Sequence, residues 1–204
     1  MRETLCTLLV TAALLAANPT VAQQVAAPAA IDRAVQSLWS KASPEWQARI
    51  TQDETQKTCS ASNNEPAPAE FETILEREKA TIRFPADGSV IGNWQAGQVI
   101  AQRGTGGQFS DAPGTFQGGN CYACHQLSKA ELSYGNLGPS LTGYGLDRKF
   151  DAQEAKNAYA KIYNAQSILP CSTMPRFGPS KFLTEQQIKD VVGYLFDPAS
   201  PVNK

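Results

Sequence analysis

The clearest hydrophobic pattern lies near the C-terminus. Ile188, Val191, Val192, Leu195 and Phe196 recur at helical spacing, and Thr184-Glu185-Gln186-Gln187 ahead of them reads as a capping box. Pro198 ends this helix. A second amphipathic face, Ala155, Ala158, Tyr159, Ile162 and Tyr163, falls between Asp151 and Ala165. A third helix is expected from Asn93, a good cap, through Trp94, Gly97, Val99, Ile100 and Ala101 to Arg103-Gly104. Gly97 in mid-helix is unfavourable unless another element packs closely against it. The helix of Gly193 and Tyr194 is the candidate, crossing with small residues at the contact.

The N-terminal third is more polar and more broken. Ile31, Ala34, Val35, Leu38 and Trp39 predict a helix over 31–41. Ser43-Pro44 reads as a cap followed by proline in the first turn, starting a short helix with Trp46 and Ile50. Gln52 to Glu70 has linker composition. Phe71, Ile74, Leu75 and Glu78 predict a helical segment to about Lys79, and Ile82 to Pro85 reads as extended. The expected organisation is a partly helical extension over 23–85 and an all-α domain over 86–200. Trp39, Trp46 and Phe71 give the extension more large apolar groups than a solvated tail carries, so it reads as an arm for a partner subunit.

Residues 1–22 have the form of a cleavable export signal. Arg2 is near the start, Leu5 to Ala17 is apolar, and Thr20-Val21-Ala22 offers a small-residue cleavage site. The apolar run, broken at Asn18-Pro19, is too short to span a bilayer. The expected location is the periplasm, as a soluble protein. A formal net charge of −1 offers no basic stripe for nucleic acid and no polybasic lipid anchor.

Candidate chemistry centres on Cys121-Tyr122-Ala123-Cys124-His125. C-x-x-C-H is the spacing of covalent haem attachment: one turn presents both sulfurs to one porphyrin edge, and the histidine follows as the proximal iron ligand. A thioredoxin-like reading expects strands around the motif, and no strand-rich stretch flanks it. A zinc reading needs four nitrogen or sulfur ligands, and the chain has one histidine. The motif therefore predicts one haem c on Cys121, Cys124 and His125. Gly104 to Asn120, with Phe109, Pro113 and Phe116, is long for an unstructured connection and is expected to cover a haem edge. In a c-type cytochrome, a turn such as Gly138-Pro139-Ser140-Leu141 supplies the carbonyl of Pro139 to the far nitrogen of the proximal histidine.

The sixth iron position has one strong candidate. Beyond Met1, Met174 is the only methionine, and it lies in a loop flanked by Pro170 and Pro175. A thioether there would raise the potential; lysine or an open site is the alternative. Of the five cysteines, Cys6 falls in the signal, and Cys121 and Cys124 go to haem. Cys59 and Cys171 are left over in an oxidising compartment, which predicts a disulfide between them.

From about Asp87 to Pro198 the chain resembles class I cytochromes c. More narrowly, it is similar to the SoxX family, the mono-haem subunits of SoxAX in thiosulfate oxidation. The residues carrying this are Gly119 to His125, Gly135-Asn136-Leu137-Gly138-Pro139-Ser140-Leu141, Met174-Pro175-Arg176-Phe177-Gly178 and Asp190-Val191-Val192-Gly193-Tyr194-Leu195. Cys59 and Cys171 are not expected in every member of that family. The resemblance implies a heterodimer with SoxA, in which thiosulfate is joined oxidatively to a cysteine of the carrier SoxYZ. The sulfur chemistry is then SoxA's. This chain would accept electrons and pass them to a soluble cytochrome, without being catalytic alone. The chain itself shows no nucleophile, histidine base or arginine cluster for sulfur oxyanion chemistry. The competing readings are a free-standing electron shuttle and a haem-based sensor with an open iron position.

Overall fold

The structure, a computed structural model, describes residues 28–112 and 114–204. The expected export signal lies outside the described residues. The chain divides into two compact units with the boundary between Thr51 and Gln52. The first contains α1 (Pro28–Leu38) and α2 (Pro44–Ile50). Ser43 takes the extended conformation that precedes a proline-started helix, but its side chain does not cap. Glu45 and Arg49 pair one turn apart on α2, and the Arg49 guanidinium lies over the Trp46 ring.

The second unit contains α3 (Glu54–Ala61), α4 (Pro68–Lys79), α5 (Trp94–Gln102), α6 (Tyr144–Asp147), α7 (Ala152–Tyr163) and α8 (Glu185–Phe196). Short 3-10 turns occur at Cys121–Ala123, Ala165–Ser167 and Pro201–Asn203. Among the described residues there is no strand, so the fold is all-α. Thr184 and Gln187 form the capping box of α8, Asn93 caps α5 through Ala96 N–H, and Asp151 caps α7.

The core lies where α5 and α7 meet α8. Ile100, Ala158, Tyr159, Ile162, Ile188, Val192, Tyr194 and Phe196 are buried in it together. The crossing of α5 and α8 is a backbone contact. A Cβ on Gly97 would fall 1.9 Å from the Asp190 carbonyl oxygen, and one on Gly193 would fall 2.4 Å from the carbonyl oxygen of Gly92. Asp190 fixes the entry to α5, its Oδ1 accepting from Asn93 N–H and from Gln186 Nε2, both at 2.8 Å. Gly92 N–H donates to the Lys189 carbonyl at 2.8 Å.

One expectation for the N-terminal third is corrected. Gln52 to Glu70 is not a linker, because α3 and the start of α4 occupy most of it. Asp53 and Gln56 form a capping box at the start of α3. The buried positions of α3 are Thr55 and Cys59, one polar and one sulfur-containing, so hydrophobic periodicity does not reveal the helix. Residues from Gln52 onward fall in the same compact unit as the C-x-x-C-H turn. Cys59 and Cys171 are joined by a disulfide, and Ile74 is buried beside them.

Glu78 of α4 is the buried hub of this attachment. It is 2% exposed. It accepts from Asn164 Nδ2 at 2.7 Å, from Arg176 Nη1 at 3.3 Å and from the Thr55 hydroxyl. Arg176 also pairs with Asp53 at 2.5 Å. Asn164, fully buried at the end of α7, donates in addition to the Thr81 hydroxyl at 2.8 Å.

The α5–α8 contact gives a direct test. Gly97→Ala adds a methyl against backbone that cannot swing aside. Its overpacking cost, about 1–3 kcal/mol, should exceed the helix-propensity gain of ~1 kcal/mol. Guanidinium unfolding of the haem-loaded protein should show a lowered midpoint for Gly97→Ala; an unchanged or raised midpoint would contradict this packing.

Candidate functional site

The C-x-x-C-H turn is held on two sides by backbone. On the entry side, Gly119 N–H donates to Ile100 at 2.8 Å and Asn120 N–H to Arg103 at 3.0 Å. These acceptors are carbonyls at the C-terminal end of α5, which have no partner within the helix itself. Gly118 lies so close that a Cβ would sit 2.1 Å from the Arg103 carbonyl oxygen. Asn120 then takes a left-handed conformation, φ 50°, a role asparagine tolerates better than most residues. The chain turns into the 3-10 segment Cys121–Ala123, and the N–H groups of Cys124 and His125 both donate back to the Cys121 carbonyl.

On the exit side, the stretch 135–141 runs against the turn. Gly135 N–H donates to Tyr122, Gly138 N–H to Cys124 and Leu141 N–H to Gln126, each at 2.8 Å. The two glycines are needed for this approach. A Cβ on Gly135 would stand 1.7 Å from the Ala123 carbonyl oxygen, and one on Gly138 would stand 2.2 Å from His125 Cε1.

This contact fixes the imidazole. His125 Nδ1 lies 2.7 Å from the Pro139 carbonyl oxygen. A carbonyl only accepts, so Nδ1 carries the proton and donates. The lone pair of the neutral ring is therefore on Nε2, the nitrogen left to bind a metal. Glu131 braces the segment just beyond, its Oε2 accepting from Leu127 N–H at 2.7 Å and from Ser128 N–H at 3.3 Å.

Cys121 and Cys124 are unpaired thiols in the structure. Burial pushes the Cys121 thiol up to about 12. The same desolvation does not oppose a neutral thioether. Among the described residues no group of three or more His, Cys, Asp or Glu side chains could hold a metal ion unaided.

The residues present fit a haem c. Two thiols and an imidazole with Nε2 available form its donor set on one turn. The Tyr194 hydroxyl and Glu131 Oε1 are buried without a hydrogen-bond partner in the protein. Burial, followed by the nearby Glu131 and Cys121, pushes the Tyr194 phenol up to about 12. Unsatisfied polar atoms beside Cys121 suit a cavity that a polar-edged macrocycle completes.

Of the residues singled out in the sequence, Cys121, Cys124, His125 and Pro139 are thus brought together. Met174 is partly buried and packs on the same core as Cys121, and its N–H donates to Ser172 Oγ at 3.3 Å. Cys59 and Cys171 are joined away from the turn, within their own small cluster. The described residues of the Gly104–Asn120 stretch are non-helical, with Phe109 and Phe116 exposed and Thr105 Oγ1 donating to the Phe116 carbonyl. Sequence reasoning missed Glu131, the orphaned hydroxyl of Tyr194 and the close approach of Gly135. No spacing rule flags an orphaned hydroxyl, although a glycine repeated in 135–138 hinted at backbone contact.

Comparison with known proteins agrees with this geometry. The family model for cytochrome c matches residues 109–197. A protein of Aquifex aeolicus (strain VF5), described as an uncharacterized lipoprotein, is 40% identical over 168 residues. That match covers 81% of this chain and 79% of the relative. With the attachment turn and the oriented imidazole, the match to the cytochrome c model shows that residues 109–197 form a domain of the cytochrome c family, and the protein carries a covalently bound haem c.

Proposed function

We propose that this chain is the electron-accepting subunit of a periplasmic SoxAX-type complex, with His125 and Met174 as the axial ligands of its haem. When bound, the haem supplies a one-electron couple. The protein's part is to set that couple. Pro139 would hold the His125 tautomer and raise its basicity, and a thioether ligand from Met174 would favour the reduced state. The observation that carries the ligation is Met174 itself, the one methionine past Met1, held in a proline-flanked loop at the edge of the core.

The SoxX reading is supported by the Met174-Pro175-Arg176-Phe177-Gly178 stretch and by the helices ahead of the haem domain. In this reading SoxA performs the conjugation of thiosulfate to a cysteine of SoxYZ, and this chain relays the electrons to a soluble cytochrome. In this reading Cys121 and Cys124 would be taken up by haem, and Arg176 is paired with Glu78 and Asp53. The partner surface would lie on α1, where Ile31 and Leu38 are exposed. Export agrees with the apolar run 5–17 and with the description of the Aquifex relative as a lipoprotein. Among the described residues no helix is long and apolar enough to cross a membrane.

A free-standing periplasmic shuttle is the second reading. It is favoured by the packing of residues 52–85 into the haem-bearing unit, which leaves only the residues ahead of Gln52 as a partner-binding arm.

Two measurements test these readings. Met174→Ala should keep its covalent haem but lose the weak near-infrared band of thioether-ligated ferric haem, and its ferrous form should bind carbon monoxide. A wild-type protein that lacks the band would refute the ligation. Deleting residues 23–51 should weaken capture of the SoxA-like subunit while leaving the haem spectrum unchanged. A native protein that runs as a monomer and brings down no partner cytochrome would favour the shuttle; thiosulfate conjugation by the purified single chain would overturn the relay role.

A further inference from the structure

The loop between α7 and α8 is tied down on both sides of Met174. Cys171, three residues before it, is bonded to Cys59 of α3. Arg176, two residues after it, is held by Glu78 of α4 and by Asp53 at the cap of α3. Cys59, Glu78 and Asp53 all precede residue 109, where the match to the cytochrome c model begins. The added helices therefore reach the short segment that presents the thioether, and they do so through one covalent and one ionic attachment.

The ionic attachment is strong where it matters. The Glu78 side chain is 3% exposed and that of Arg176 is 17% exposed, so the pair is shielded from water and salt. Its buried carboxylate is also bonded by Asn164 and Thr55, which fix it from α7 and α3. A buried pair satisfied in this way contributes orientation more than net stability, since desolvation offsets much of its Coulomb attraction.

We propose that α3 and α4 form a clamp that positions Met174, with Cys59–Cys171 and the Glu78–Arg176–Asp53 network as its two jaws. The proposal rests on the assignment of Met174 as the axial ligand. An iron–thioether contact can open when its loop is free to move, because the open state regains chain entropy. Fixing the loop within three residues on one side and two on the other removes most of that gain. Loosening either jaw should therefore raise the ligand-off population without releasing the covalently attached haem. Glu78, Arg176, Asp53 and the disulfide act through Met174; they are positioning residues.

The test uses the haem-loaded full chain and two readouts, the near-infrared thioether band of the ferric form and carbon monoxide binding to the ferrous form. The variants are Glu78→Gln, the double change Cys59→Ser/Cys171→Ser, Met174→Ala as the ligand-free reference, and Val202→Ala. Val202 is fully buried beneath α8 and outside the clamp, so its truncation lowers stability without touching either jaw. Each clamp variant should weaken the band and bind carbon monoxide ~10-fold more tightly than wild type, the size expected when a charge-assisted or covalent restraint on a local opening is lost. Val202→Ala should leave both readouts at their wild-type values while unfolding at lower denaturant. Clamp variants that match wild type, or a Val202→Ala protein that shifts as far as they do, would overturn the clamp and leave Met174 ligation standing. A wild-type protein that already behaves like Met174→Ala would overturn the ligation, and the clamp with it.

Discussion

Everything in the haem-binding part hangs on the contact between α5 and α8. At Gly97 the two backbones meet with no side chain between them, the Asp190 carbonyl standing where a Cβ would be. That approach sets where α5 ends. The carbonyls of Ile100 near its end and of Arg103 just past it then receive Gly119 and Asn120 and so deliver the attachment turn. From α8, Gln187 reaches back with Nε2 to the Gln117 carbonyl at 3.0 Å, fixing the same entry from the other side. A shift of either helix would move Cys121, Cys124 and His125 together.

The orientation of His125 depends on a second run of close backbone contacts. Gly135 and Gly138 let 135–141 lie against the turn, and only then does the Pro139 carbonyl reach Nδ1. The proton on Nδ1 and the lone pair on Nε2 follow from which atom faces which. The tautomer is thus a consequence of two missing side chains as much as of the histidine. In the same interior, the orphaned Tyr194 hydroxyl and Glu131 Oε1 mark polar edges that protein alone does not satisfy.

Away from the turn, α3 and α4 are attached by chemistry unlike that of the main core. Cys59, Ile74 and Cys171 form a small cluster, and beside it a buried carboxylate gathers Asn164, Arg176 and Thr55. Replacing such a network by apolar groups of similar volume is often neutral or stabilising, while removing one member leaves an unpaired buried charge. Its value therefore lies in geometry: it defines one arrangement of the α7–α8 loop relative to α3 and α4.

The sequence by itself determined the elements whose signal is local. The α8 pattern with its Thr184–Gln187 box, the Asn93 cap of α5, the face of α7 and the C-x-x-C-H spacing each depend on residues within a few positions of one another. The pairing of Cys59 with Cys171 was also legible, because chemistry left no other partners. What the tertiary structure decided depends on residues far apart in the chain. Helix α3 buries Thr55 and Cys59, so its inner face carries no apolar stripe, and polar composition reads as linker until Glu78 and Cys171 are placed against it. Glu78 shares a helical face with Phe71, Ile74 and Leu75, but no local rule says what its carboxylate meets there; only folding brings it to Arg176 and Asn164, 98 and 86 residues away. Local rules describe how a segment prefers to turn, whereas a buried charge is tolerated only when distant partners arrive to satisfy it.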